Sequence, residues 1–578
     1  MLPAYALALS LLVTGPLLGP GYLLLRDGVS TPRSYLTDAA LGLTEAAPRA
    51  LPQDFLVAVS SVVLDGGIVV KVLLVAGLWL AGWGAARLAS TVLGSGLPGQ
   101  FLAATLAIWN PYVAERLLQG HWSLLVGYGC LPWVAGCVLR LRAGPRTQGG
   151  QTGPGPAAWG LLFWTALAGL TPTGLMLAAT AALVCIAAPG AGWGRLRVGA
   201  LALGTAVLAA TPWLVAAAVG GTVSSPESAA GVHAFAARAE PGLATLGSLA
   251  GLAGIWNGDA VPDSRTTLFA LVATAVLIII VALGLPVVLR NRTAAPLLLL
   301  AAVAVVIPAA MATTPGLAFV EAMIRTAPGL GVVRDGQKWV ALAMPGYVLA
   351  AAAAPDTLRR LRVPSAASAA VGCAALIAVL PDLAWGVGNQ MRAVQYPTGW
   401  AAATATINAD PRPVVVLPPD SMRLFYWSGT APVLDPLPRW LRAEVLSTGD
   451  LVIGGQLVRG EGRRARAVQD LLRSGADRPT MADAGVGWLV VETNGVPAEL
   501  DLPAAYRDGD VAVYRIGGDH PASPHRGVMI TAHGVWLGVL AGGALGMAVS
   551  FWRARGRSSA CHGGQERAEL PARPHSDL

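Results

Sequence analysis

Charge is scarce in this chain. Only 12% of its 578 residues are Asp, Glu, Lys or Arg, while 54% are hydrophobic; a soluble domain carries about 25% charge. That shortage excludes an ordinary soluble globular protein, and a mean hydropathy of +0.58 indicates a polytopic membrane protein. Cysteine is also sparse. Cys130, Cys137, Cys185 and Cys373 lie in apolar runs and Cys561 in the polar tail, which excludes a disulfide framework or a zinc-binding spacing. Cys130 and Cys137 share a helix face and read as packing residues. No H-E-x-x-H, P-loop, G-x-S-x-G or dinucleotide fingerprint occurs, which argues against ATP-driven transport within the chain. The net charge of +8 does not point to nucleic acid, because the arginines sit in short loops between apolar runs. Neither a basic leader nor a small-residue cleavage site precedes residue 25, so Ala4 to Leu25 is expected to remain as a span.

What is present is a series of apolar runs. A membrane span needs roughly 20 apolar residues, and about twelve candidates follow: 4–25, 67–92, 101–118, 122–140, 158–172, 174–189, 198–219, 265–288, 294–313, 339–355, 364–386 and 528–551. The 158–189 pair also fits a re-entrant hairpin. The positive-inside rule orients them. With the N-terminus cytoplasmic, Arg140, Arg142 and Arg146 fall inside, as do Arg195 and Arg197, Arg290 and Arg292, Arg359, Arg360 and Arg362, and Arg553, Arg555 and Arg557. The C-terminal tail, 552–578, is then cytoplasmic too. A Gly/Pro linker, 144–157, lies on the same side, and most carboxylates lie opposite.

Residues 387–527 differ in texture. Val414–Leu417, Trp488–Glu492 and Val511–Ile516 are short β-like runs around a basic helical stretch from Leu457 to Arg473. That alternation predicts a small extracytoplasmic α/β domain between the membrane body (1–386) and a last span (528–551). Asp508-Gly509-Asp510 reads as a hairpin turn there, not a metal site.

Three places could carry chemistry. The first outer loop, 26–66, is rich in carboxylates at amphipathic helical spacing. Asp27 stands where the first span should emerge, and an ionisable group pinned at a membrane boundary is a candidate functional group; a helix-end carboxylate paired with a neighbouring arginine is the plainer explanation. Asp38 and Asp54 compete with it, Asp54 also as a helix-start residue. The second place is Asn110–His121 (NPYVAERLLQGH). It packs Asn110, Glu115, Arg116 and His121 into a charge-poor chain, although an interfacial turn with a snorkelling arginine explains it equally. The third is Gly331–Trp339 (GVVRDGQKW), where Arg334 and Lys338 at a membrane mouth suit a phosphate and Asp335 suits a helix N-cap. Trp256-Asn257-Gly258-Asp259 is a further candidate to line a chamber.

The long first loop, NPYVAERLLQGHW, RDGQKW and the late outer α/β domain together resemble the GT-C superfamily of membrane glycosyltransferases. Within it the chain is most similar to the membrane portion of the arabinofuranosyltransferases and mannosyltransferases of mycolate-bearing bacteria. The resemblance covers roughly residues 1–390 in layout. It implies a polytopic fold, a polyprenyl-phosphate sugar donor and a first-loop carboxylate as base, a role that falls on Asp27, with Asp38 second. The loop lacks the adjacent acidic pair of the plainest family pattern. Inverting transfer needs a base for the acceptor hydroxyl and cations for the departing phosphate. Arg116, His121, Arg334 and Lys338 are the candidates for the latter, with Asn110, Glu115 and Asp335 lining the chamber. A monophosphate leaving group does not oblige a metal, and no cofactor is implied. The expected partners are the lipid-linked donor, an envelope glycan or glycolipid acceptor and membrane lipid, at the outer face of the plasma membrane. A lipid or glycolipid transporter is the main rival; spans nearly free of charge, with Lys71 and Arg87 near their ends, weigh against it. A non-catalytic scaffold for envelope assembly is the other.

Overall fold

The computed structural model describes residues 1–45, 49–144, 155–220, 231–453, 455–492 and 502–568. Most of the linker 144–157 and the tail from 569 lie outside the described residues. The tail expected from 552 onward begins instead as a continuation of the last helix, Arg526–Ala568.

Helices dominate, and the apolar runs are more broken than their composition implies. Among the described residues, five helices are long and apolar enough to cross a membrane: Gly66–Leu93, Trp122–Ala143, Arg195–Gly220, Phe269–Val288 and Arg526–Arg553. Two bent pairs, Ala295–Met311 with Thr314–Thr326 at 91° and Ser365–Ala378 with Pro381–Asn389 at 79°, raise the number to seven if each is one span. The expected twelve is therefore not reached by length and composition. Proline and glycine divide the remaining runs. The first helix, Leu2–Thr14, passes through a 3₁₀ turn at Gly15–Leu18 and gives way to a strand, Tyr22–Leu25. The run 101–118 breaks at Asn110 into Leu97–Ile108 and Pro111–Leu118. The run at 339–355 starts as a 3₁₀ stretch, Gly336–Ala343, ahead of Met344–Arg360. Gly155–Ala168 and Pro172–Cys185 form a helical hairpin.

Trp122–Ala143 is the axis of the helical body, buried over nearly its whole length. Small residues let its neighbours approach: a Cβ on Gly77 would lie 2.9 Å from Val126 Cα. Such close backbone packing substitutes for a hydrophobic driving force that lipid cannot supply. Cys130 and Cys137 are buried here, as packing residues.

The later residues form a five-stranded mixed sheet in the order Ala504–Arg507, Val511–Arg515, Trp488–Glu492, Val414–Leu417, Val445–Leu446. Trp488–Glu492 runs parallel to Val414–Leu417 and antiparallel to Val511–Arg515. Alternate residues feed two cores: Val414, Val416, Trp488 and Val490 pack on one face, Val415, Leu489 and Val491 on the other. The expected basic helix is shorter, Arg463–Arg473, because Gln456–Val458 is a strand. Asp508 caps the hairpin turn, accepting from the backbone N–H of Asp510 and Val511 at 2.8 and 2.9 Å.

The first outer loop is not mainly helical. Tyr22–Leu25 pairs with Gly28–Val29 and with Ala393–Val394, and Arg26 bridges to Val433. Leu24 and Val29 belong to the core of the α/β unit. Strand pairing thus threads this loop between the helical body and the sheet, and Asp27 sits at the tip of the hairpin.

Candidate active site

Two close backbone approaches create the site. Gly120 has φ +83, and a Cβ there would overlap the backbone of Gly28 and Leu25. Only glycine fits, because it combines the left-handed region with no side chain. Asp27 is thereby brought against the turn after Pro111–Leu118, and its N–H donates to the Gln119 carbonyl at 3.2 Å. The residue before it, Arg26, is held at φ +49, an unfavourable backbone for a side-chain-bearing residue. It persists because the buried Arg26 guanidinium donates to the Leu118 carbonyl at 2.7 Å and to that of Asp259, while its backbone bonds Pro432 and Leu434.

From Asp27 a chain of polar contacts runs inward. Its Oδ2 accepts from Gln119 Nε2 at 2.9 Å and lies 3.1 Å from His121 Nε2. His121 Nδ1 faces Arg116 Nη1 at 3.1 Å. A guanidinium only donates, so Nδ1 accepts and Nε2–H is the donor to Asp27. Arg116 in turn makes a two-pronged pair with Asp335 at 3.0 and 3.1 Å and donates to Gln337. Lys338 Nζ lies 3.6 Å from Asp335.

Exposure separates the roles. The Asp27 side chain is 41% exposed, Lys338 24% and His121 19%, whereas Asp335 is 5% and Arg116 0%. Burial opposes ionisation of Asp27, but hydrogen bonds from His121 and Gln119 and the nearby Lys338 hold its carboxyl below the ordinary carboxylate value. Burial pushes His121 down, which keeps the imidazole neutral. Burial likewise opposes ionisation of Asp335, yet Arg116 and Lys338 hold it well below that range. The open end of the chain is thus an ionised carboxylate, and the closed end is a neutralised ion pair.

No family model matches the chain, and no curated protein matches it. Among solved structures, two cryo-EM classes of a mutant arabinofuranosyltransferase AftD from Mycobacteria superpose on it with TM-scores of 0.53 and 0.50, at 17% identity, over 90% and 89% of this chain. The fold is similar to that of AftD. At 17% identity the likeness is one of fold, as the resemblance carried by NPYVAERLLQGHW and RDGQKW implies. This chain spans about two fifths of AftD, 42% and 41% in the two classes.

Within this AftD-like fold the expected site residues divide. Asp27, His121, Arg116, Asp335 and Lys338 come together. Asp38 does not: it follows the N-cap Thr37, accepts from Ser523 N at 2.9 Å and pairs with Arg526 at the head of the last helix. Arg116 has no exposed surface for a ligand, so its place is to position His121 and Asp335. Asp335 does not cap its helix; its carboxylate serves Arg116 and Lys338 instead. Arg334 stands over the Phe235 ring at 4.1 Å. Asn110 and Glu115 are both buried in local packing and hydrogen bonding. Asn110 caps Pro111–Leu118, accepting from Val113 N at 3.1 Å. Glu115 is buried and accepts from Gly254 N, Ile255 N and Gln337 Nε2 at 3.0 to 3.1 Å. Gln119, Gln337 and Arg26 do not stand out in the sequence, since nothing local distinguishes a glutamine that orients a carboxylate from one on a surface. Asn257 donates to Gln119 Oε1 at 2.7 Å, which places the Trp256–Asp259 stretch against the site.

Proposed function

We propose that this chain is an inverting glycosyltransferase. It moves a sugar of the arabinofuranose or mannose class from a polyprenyl-phosphate donor to a cell-envelope glycan or glycolipid at the outer face of the plasma membrane. Asp27 is the base. Its Oδ takes the proton of the acceptor hydroxyl as that oxygen bonds to the anomeric carbon from the face opposite the phosphate. The bond from the anomeric carbon to the phosphate oxygen breaks with its electron pair on the phosphate. Lys338 holds that charge, while His121 and Gln119 aim Asp27 and keep it ionised.

The single observation that carries this reading is the open Asp27 carboxylate joined through His121 and Arg116 to the Asp335–Lys338 pair. It sets a proton acceptor near a partly exposed cation, and burial depresses the lysine pKa, so that an arriving phosphate would stabilise its charged form. The similarity to AftD and the apolar helices, which keep a lipid tail in the bilayer, support it. Asp27→Asn in the full chain, reconstituted with a polyprenyl-phosphate sugar and an oligosaccharide acceptor, should lower the transfer rate by about 10³-fold or more, with unchanged insertion and thermal midpoint. Transfer within twofold of the natural chain would remove Asp27 from the mechanism.

A further inference from the structure

A cavity of about 170 Å³ lies between the first outer loop and the α/β unit. At roughly 30 Å³ per water, it holds the volume of five or six waters, room for one sugar ring. Its wall has the chemistry of a polyol site. Tyr35 and Trp122 contribute aromatic side chains to it, and Asp54, Asp435 and Arg439 offer charged hydrogen-bonding groups. One wall residue, Trp122, directly follows His121 of the candidate active site in the chain.

Several of these groups have bonding capacity to spare. Asp54 uses Oδ1 for Gln53 Nε2 at 3.1 Å and Arg439 Nε at 3.3 Å. Asp435 Oδ1 accepts from Leu437 N at 2.8 Å, and its Oδ2 is a weak 3.5 Å partner of Arg423. Behind Asp435, Arg423 Nη1 is buried without a hydrogen-bond partner, and Glu492 shares a side-chain hydrogen bond with Asp435. A half-satisfied charged network beside a polar hollow costs stability. On the cavity wall itself, Asp54 and Asp435 keep carboxylate lone pairs that a hydroxyl-rich guest fills.

We infer that this cavity is the binding subsite for the terminal sugar ring of the glycan acceptor, with Asp54, Arg439 and Asp435 as its hydroxyl-binding groups and Tyr35 and Trp122 as its walls. The inference rests on the transferase reading for the word acceptor, but not for sugar binding itself. It accounts for the Arg26–Val433 bridge and the Asp54–Arg439 pair that hold the first loop to the α/β unit, because the cavity lies where the two meet.

The test uses the full chain in nanodiscs, in an Asp27→Asn background where no transfer consumes the ligand. Methyl α-D-arabinofuranoside and methyl α-D-mannopyranoside serve as probes in ligand-observed NMR. Asp54→Ala should weaken the bound probe about tenfold or more, as expected for loss of a charged hydrogen bond. Ser447→Phe, at the rim of the cavity, should block binding without touching the ion pairs. In the Asp27-intact chain both changes should raise acceptor KM and leave donor KM unaltered. Probe binding lost in these variants while the Asp27-intact chain transfers no sugar would keep the subsite and sink the transferase. Transfer with an acceptor KM unchanged by Ser447→Phe, in a protein with the natural thermal midpoint, would overturn the subsite.

Discussion

At the scale of the residue, the site depends on one glycine as much as on its charged groups. Gly120 lets the Gln119–His121 turn touch the Asp27–Gly28 turn, so the contact is made of backbone. Gly120→Ala demands a positive φ from a side-chain-bearing residue and forces the two turns apart. It should destabilise the protein by about 1–3 kcal/mol, read as a fall in thermal midpoint. Sugar transfer should fall further than that loss explains, because a displacement of about 1 Å can cost 10²-fold in rate. A variant with natural stability and natural transfer would show that the contact is dispensable. The pH profile follows from the same residues. Asp27 is held below the ordinary carboxylate value, so its loss of function on acidification lies below that value, and transfer should not decline on its account between about pH 5 and 7.

At the scale of the element, the buried Arg423–Glu492–Asp435 cluster sets how the sheet responds to pH. Burial and the neighbouring Asp435 raise the Glu492 carboxyl to about 8. A carboxyl raised by folding binds its proton more tightly in the folded state. Its contribution is therefore fully present below its ordinary pKa of 4.5 and is lost as pH rises through about 8. Thermal unfolding of the α/β unit should show a midpoint that falls across this window. Glu492→Gln should flatten it, and an equally steep fall in that variant would assign the pH dependence to another group. The elements also explain why the apolar runs outnumber the long helices. Pro16, Gly19 and Gly21 end the first helix early, yet Tyr22–Leu25 is as apolar as a span because its residues enter two cores, those of the helical body and of the α/β unit. An apolar run says that residues are buried, but not whether in a helix or in a strand.

At the scale of the whole molecule, the proposed orientation puts Asp27, Lys338 and the sheet on the extracytoplasmic side. Lys338→Cys should react with a membrane-impermeant maleimide added to intact cells, whereas Arg290→Cys should react only after permeabilisation. The opposite pattern would invert the chain and remove envelope glycans as acceptors. The same arrangement requires the sheet to act with the body. The Asp54–Arg439 pair at 3.3 Å and the Arg464–Glu45 contact at 2.8 Å tie the two together, besides the paired strands.

Read alone, the sequence determined the membrane character, the strands Val414–Leu417, Trp488–Glu492 and Val511–Ile516 (the last ending one residue sooner, at Arg515), and the two charged turns. Each of these is written in local composition or in a period-two pattern, which short-range physics dictates. It also singled out Asp27, because a charge is conspicuous in an apolar chain. Which of Asp27, Asp38 and Asp54 stands beside His121 was decided by tertiary structure, since all three are similar carboxylates in one loop and differ only in what folds against them. Asp38 meets Arg526, and Asp54 meets Arg439, partners several hundred residues away. The burial of Arg116 behind Asp335 was invisible for the same reason: a cation in a sequence is equally ready to bind a ligand or to be neutralised, and only packing at long range removes the first possibility.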